Sequence, residues 1–481
     1  MAILGSSLAF IEGSAVGLAL PAIQTTYAAD STALQWVVNG YLLVLGAFIM
    51  IGGAAGDRFG LRRTFVAGTA LFGLSSVAAG FAPNLEWLVA TRLLQGAGSA
   101  ALVPVSLALI SRHFPEDERG KAIGTWAGAS ALTTAGGPVV GGWLIDSGGW
   151  PWVFWSIAPL AAAAIAIALW RVPDDRPTTA STPDIPGALL LAAALATLVY
   201  ATLQADVVRL LIGLALALGI AALFVRRERR ATAPMMPLGI FGDRVFTSAN
   251  LMTVLLYAGL MGVLYLVPFN LIQVQGYSAL EAGLALLPMS LIIGAGSAAA
   301  GALAAKVAAR TLLSLGPSIV AVGFAWFAIP GADSGYLPHW LPAVVLVGIG
   351  MTISIAPLTT VVMNALPDTQ AGLASGVNNT AARLAGALAV AAFTGIAVAV
   401  FTSVLDGGLA AAAVDAGVRE QLLAGAGELA ALPIPAGAEA GVGDIVTASY
   451  VTTFRLLMLV STLLALTAAW IGWRTMPATT G

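Results

Sequence analysis

Few side chains in this sequence can do chemistry, and those that can stand inside apolar runs. Glu12 sits in the middle of LGSSLAFIEGSAVGLALP. A carboxylate in an apolar interior is expensive to ionise, which suits it to taking up and releasing a proton. The alternative is a neutral Glu12 that only fixes packing through a hydrogen bond. In EWLVATRLLQGAGSAALVP, Arg92, Gln95, Gly96 and Ser99 fall at i, i+3, i+4 and i+7, one face of a helix. A stripe led by a guanidinium cannot face lipid, so it lines a cavity or meets another helix. There Arg92 either holds a nearby carboxylate ionised, Glu12 being the expected partner, or stitches helices together through backbone carbonyls. A second embedded arginine, Arg383 in GLASGVNNTAARLAGALAVAA, follows Asn378 and Asn379 by about a turn; it faces a cavity or snorkels to an interface. Each such group costs about 2.5–3.5 kcal/mol at mid-helix, which makes each a functional candidate.

Two glycine-bearing segments flank these charges. GGAAGDRFGLRRT places Asp57 where it can face the positive end of a following helix, with Arg58, Arg62 and Arg63 holding one side of the membrane and Gly60 permitting the turn. GKAIGTWAGASALTTAGGPVVGGWL carries Gly124, Gly128, Gly137, Gly141 and Gly142, with Pro138 among them. Glycines four apart let helix backbones approach closely, and proline permits a bend. Trp126, Tyr257, Tyr265, Asn250 and Asn270 could line an apolar cleft, although core packing accounts equally well for any one of them.

The elements that must position these residues follow from composition. Of 481 residues, 59% are apolar or aromatic and 9% charged, with 55 glycines; mean hydropathy is +0.93. Soluble domains carry about 25% charge, so the sequence predicts an all-α integral membrane protein. Continuous runs such as LLIGLALALGIAALF do not alternate and so exclude a β-barrel. Net charge −2 argues against a nucleic-acid partner, while the absence of cysteine and a count of two histidines argue against metal clusters and cysteine nucleophiles. The opening MAILGSSLAF has no basic segment and reads straight on as a span rather than a cleavable leader. Gly96-x-Gly98-x-x-Ala101 imitates a dinucleotide fingerprint but follows no strand, and no GxxxxGK[ST] occurs.

Runs of about 20 apolar residues predict 14 transmembrane helices near 3–26, 34–55, 63–82, 86–110, 122–145, 150–170, 186–204, 207–225, 246–269, 279–304, 311–330, 340–363, 372–402 and 450–473. Under that count 16 of the 21 Lys and Arg residues fall on one side, which places it and both termini in the cytoplasm of a plasma-membrane protein. Two linkers, 171–184 and 226–244, isolate a central pair. The expected organisation is a six-helix bundle over 1–170, linkers and a central pair over 171–245, and a second six-helix bundle over 246–481. The outer loop 404–447 forms either a short helical hairpin or a solvated linker.

These motifs together resemble the major facilitator superfamily and, within it, the fourteen-span drug:proton antiporters. GGAAGDRFGLRR resembles the signature loop between helices 2 and 3, departing at Ala55 and Leu61. TRLLQGAG resembles the helix 4 motif, keeping Arg92, Gln95, Gly96 and Gly98. GGPVVGG is similar to the helix 5 antiporter motif, with Thr133 where glycine is usual, and FIEGSAVGLALP is similar to the helix 1 motif, with Glu12 for aspartate and Gly17 for asparagine. The resemblance implies two bundles rocking about a midplane cavity, proton coupling at Glu12 and Arg92, gating at Asp57, Arg58, Gly60 and Arg62, and efflux of small hydrophobic or amphipathic compounds. It implies no cofactor, a proton gradient as energy source, and small molecules, protons and lipid as partners of a monomer. The rival reading is an exporter or flippase of an endogenous lipid or metabolite; a membrane enzyme and a passive channel are weaker alternatives.

Overall fold

A computed structural model of the chain describes residues 1–27, 31–174, 184–202, 207–231, 234, 236–277, 279–332, 334–435, 438 and 441–478. The helices are α1 (Ala2–Tyr27), α2 (Ser31–Phe59), α3 (Leu61–Gly80), α4 (Leu85–His113), α5 (Glu116–Gly148), α6 (Pro151–Trp155), α7 (Ile157–Arg171), α8 (Ile185–Thr202), α9 (Val207–Glu228), α10 (Arg244–Gln273), α11 (Ala279–Leu303), α12 (Ala309–Trp326), α13 (Leu341–Asn364), α14 (Ala371–Ala411), α15 (Ala416–Ala424) and α16 (Val442–Thr475). Among the described residues there is no strand. Apolar runs have this outcome because lipid satisfies no backbone N–H or C=O, so each segment must bond within itself. Ten of these stretches, α6 and α7 counted as one, are long and apolar enough to cross a membrane. Helices break where chemistry requires it: Gly60 takes φ 97° between α2 and α3, and Gly149 takes φ 85° before Pro151 opens α6.

Packing runs along two kinds of seam. α2 and α3 lie on α4, α1 lies on α5, and α10, α12 and α16 pack together with α13 and α14 close by. Two further seams join early helices to late ones, α2 to α14 and α5 to α11. α8 packs chiefly on α9 and leans on α2, and few residues of α9 are buried. At the base of that pair Arg227 holds the buried Asp184 carboxylate at 2.6 Å, and the Glu228 carboxylate accepts the Met236 N–H at 3.0 Å, tying down the chain that leaves α9.

The region expected as an outer loop differs from a solvated linker. α14 continues to Ala411, so the loop begins later than 404, and α16 starts at Val442 rather than near 450. Between them Asp415 caps α15, accepting from Gly417 and Val418 N–H, while Leu422, Ala426, Leu429 and Leu432 are buried. Burying those four side chains against α14, α16 and α10 is what favours short helical turns over an extended, hydrated chain.

Candidate functional site

α1 and α4 bring the first two candidates together. The Arg92 Nη1 donates to Glu12 Oε1 at 2.6 Å, with 1% of the arginine and none of the glutamate exposed. Gln95, one turn on from Arg92, donates its amide Nε2 to the same Oε1 and to Ser76 Oγ of α3, and accepts from Arg92 through Oε1. Arg92 Nε donates to the Val37 carbonyl of α2 at 2.7 Å, and the guanidinium carbon lies 4.4 Å from the Tyr41 ring centre. Ser99 is on the same face of α4 but hidden from any cavity, paired with the Tyr41 hydroxyl at 3.0 Å. Four helices thus meet on one ion pair. Both donors converge on Oε1, and Glu12 Oε2 is buried without a hydrogen bond. Arg92 thus contacts both a carboxylate and a backbone carbonyl of another helix.

Asp57 meets the positive end of a following helix, and that helix is α14: its two oxygens accept from Gly372 N–H at 2.8 Å and Leu373 N–H at 2.7 Å. The reason is that Asp57 and Gly53 lie four apart on one face of α2, and that face is pressed against α14 so closely that a methyl on Gly53 would strike the Gly372 carbonyl. Of the neighbouring arginines, Arg62 donates to the Val172 carbonyl and, with Arg63, holds Asp174; Arg58 lies 5.5 Å from the Phe59 ring. At the same end Arg119 of α5 donates to Asn364 of α13 at 2.7 Å.

The glycines of α5 serve two partners rather than one. Gly120, Gly124 and Gly128 face α11, where side chains would collide with the carbonyls of Gly301, Ser297 and Gly294. Gly141, further along the helix, packs on Ala15 of α1. Gly137 is buried, Gly142 has nothing within 4 Å of an added methyl, and the side chains of Pro138 and Gly17 lie outside the described ones.

Among the remaining candidates, Thr253 donates to Asn378 Oδ1 at 2.8 Å, and these two with Tyr257 line a cavity of about 10 Å³ between α10, α13 and α14. Arg383 is half-buried on α14, with its Nε lacking a hydrogen bond. Trp126 is buried and spends its indole N–H on Ser6 Oγ; Asn250 donates to its own helix at Phe246; Asn379 donates to the Ser375 carbonyl. Tyr265 is exposed and Asn270 buried. Tyr41, Ser76 and the Val37 carbonyl are the functional neighbours that sequence reasoning missed. Nothing in the local pattern of α2 or α3 marks them, although Tyr41 inside an apolar run was a polar tip in need of a partner.

The family model described as Major Facilitator Superfamily matches residues 2–390. The chain is 32% identical over 385 residues to the multidrug resistance protein Stp of Mycobacterium tuberculosis (strain CDC 1551 / Oshkosh), covering 78% of this chain and 70% of that protein. It is 31% identical over 395 residues to the tetracenomycin C resistance and export protein of Streptomyces glaucescens, covering 80% and 73%. In fold it is similar to the proton:xylose symporter XylE, with a TM-score of 0.63 at 16% identity over 99% of this chain and 94% of that one. An all-helical chain with these relatives is a multi-pass membrane transporter and not an enzyme, and it belongs to the major facilitator superfamily.

Proposed function

We propose that the protein is a proton-coupled exporter of small hydrophobic or amphipathic compounds. In this reading 14 helices span the plasma membrane, and bundles over 1–170 and 246–481 rock about a midplane cavity, with the central pair in 171–245 standing beside them. The basic ends of the helices face the cytoplasm and keep both termini there. The chain works as a monomer without a cofactor, and the proton gradient supplies the energy, about 2.3 kcal/mol per charge per 100 mV.

The observation that carries this reading is the one-sided use of Glu12. Oε1 takes both donors, so a proton can bind at Oε2 without first displacing a hydrogen bond. Protonation removes the charge that balances Arg92 and weakens the contact between α1 and α4. The seams of α2 with α14 and α5 with α11, closed at the basic end, are those that must part for the opposite state. The names of the relatives, resistance and export proteins, support outward movement of drug-like compounds.

Proteoliposomes with an imposed pH gradient test this. Wild type is expected to drive an amphipathic dye against its gradient and to release protons as it does so. Glu12→Gln is expected to lose coupled proton flux while still binding the dye. Full dye-driven proton flux in Glu12→Gln would end the assignment.

A further inference from the structure

The two arginines inside the apolar core are not equivalent. Arg92 is neutralised by Glu12 at 2.6 Å. Arg383 has no carboxylate partner among the described residues; the titratable groups within electrostatic reach of it are the hydroxyls of Tyr41 and Tyr257. Snorkelling to the start of α14 does not account for it, because Arg383 lies 12 residues beyond that end (383 minus 371), roughly 18 Å along the axis, farther than an arginine side chain reaches. An embedded, unbalanced guanidinium is costly and marks the place of a counter-charge that is not part of the chain.

The helix register shows what surrounds it. α2 and α14 run antiparallel, with Gly53 against Gly372 and Gly376 against Met50. Continuing that register by three turns brings Tyr41 abreast of Arg383. Tyr41 carries Arg92 on its ring at 4.4 Å and lies within electrostatic reach of Arg383, so it stands near both the balanced arginine and the unbalanced one. On α10, Tyr257 lies within reach of Arg383, and Tyr257 with Thr253 and with Asn378 of α14 lines a cavity of about 10 Å³ between α10, α13 and α14, room for no more than one water until the helices part.

We propose that Arg383 anchors an anionic or carbonyl-rich group of the exported compound, and that the transporter therefore prefers acidic or zwitterionic amphiphiles to hydrophobic cations. The proposal rests on the export reading and narrows it to a substrate class. Arg383 offers five N–H donors in a planar fork that matches a carboxylate, and the apolar walls of α10, α13 and α14 take the hydrophobic body. Thr253, Asn378 and Tyr257 supply hydrogen bonds to polar edges. A cation would be repelled by Arg383 and would find no free carboxylate, since Glu12 is held by Arg92.

The test uses rhodamine 110, which carries a free carboxylate, and its methyl ester, rhodamine 123, on the same xanthene scaffold. Equilibrium binding of each to the full chain in nanodiscs is read by fluorescence anisotropy at neutral pH. Wild type is expected to bind the acid about tenfold more tightly than the ester, the scale of one charge-assisted contact. Arg383→Gln is expected to erase that ratio by weakening the acid alone, and Arg383→Lys to keep part of it. Equal or tighter binding of the ester by wild type, absence of saturable acid binding, or an unchanged ratio in Arg383→Gln each overturns the proposal. If Arg383→Gln does not fold, the wild-type ratio and Arg383→Lys decide. Loss of the export reading would show separately, as failure of gradient-driven dye transport by a wild type whose acid preference stands.

Discussion

The Asp57 carboxylate at the end of α2 and the Gly372 N–H at the start of α14 are bonded at 2.8 Å across 315 residues of sequence, with Leu373 N–H completing the pair. An anion at a helix N-terminus satisfies donors that the helix cannot bond itself and meets the positive end of its dipole. The contact is thus a latch between an early and a late helix, made of one side chain and bare backbone.

Asp57→Ala is expected to loosen that latch. Each hydrogen bond to the charged group is worth about 1.5–3 kcal/mol, so the closed arrangement loses at least tenfold in population. The chain has no cysteine, which allows Ser375→Cys, a buried position on α14, to report opening by its rate of maleimide labelling. Labelling is expected to be faster by an order of magnitude with Asp57→Ala present and intermediate with Asp57→Asn. Equal rates in all three would show that the latch carries no weight.

Arg92→Gln leaves Glu12 buried without its counter-charge. Removing one partner of a buried pair costs about 3–5 kcal/mol. Thermal unfolding of Arg92→Gln is therefore expected well below wild type, whereas the double variant Glu12→Gln, Arg92→Gln recovers much of the loss because no charge is stranded. Additive losses in the double variant would contradict a coupled pair.

Gly124→Leu places a side chain where α5 meets the Ser297 carbonyl of α11. The seam cannot close around it, so the protein is expected to insert and accumulate yet transport dye at less than a tenth of the wild-type rate. Gly142→Ala, where nothing lies within 4 Å, is the matched control and is expected to transport normally. Transport assays in vesicles of equal protein content separate the two.

The base of the central pair gives a pH dependence. Burial alone would push the Asp184 carboxyl up, but hydrogen bonds from Arg227 and the Gly187 N–H outweigh it and hold the group below the usual carboxylate range. A depressed value stabilises the fold above the unfolded value, about 3.9, and that stabilisation is lost as pH falls through the folded value beneath it. Asp184→Asn is expected to melt a few degrees below wild type at neutral pH, the gap closing below about pH 4. Calorimetry across that range checks it; a constant gap means the charge is not responsible.

How much of this was legible depended on where each residue's partner lay. Glu12 and Arg92 stood out because charge in an apolar run is costly wherever the chain goes, and the period of α4 put Gln95 on the same face. Tyr41 and Ser76 had no such mark: their importance comes from α2 and α3 meeting α4, a relation between helices rather than along one. Which following helix Asp57 meets was not legible, because its partner is a pair of backbone N–H groups, which have no sequence signature. The glycines of α5 announced close packing, but spacing alone does not say with which helix, and in the fold α11 takes one half and α1 the other. The length of α14 was hidden because an alanine- and glycine-rich segment after 402 reads equally as helix or linker, and only burial against α15 and α16 decides it.

The division of α5 between two partners bears on how such a protein can change its substrates over evolutionary time. The contacts that close the basic end are formed by glycine backbones and by N–H groups at the start of α14, so almost any side chain placed there is selected against. Thr253, Tyr257 and Asn378, around the small cavity between α10, α13 and α14, take part in neither the α5–α11 glycine contacts nor the Asp57 latch. Mutations there can alter which compound is held while leaving the moving parts untouched. A transporter so built can explore recognition without first losing the ability to switch.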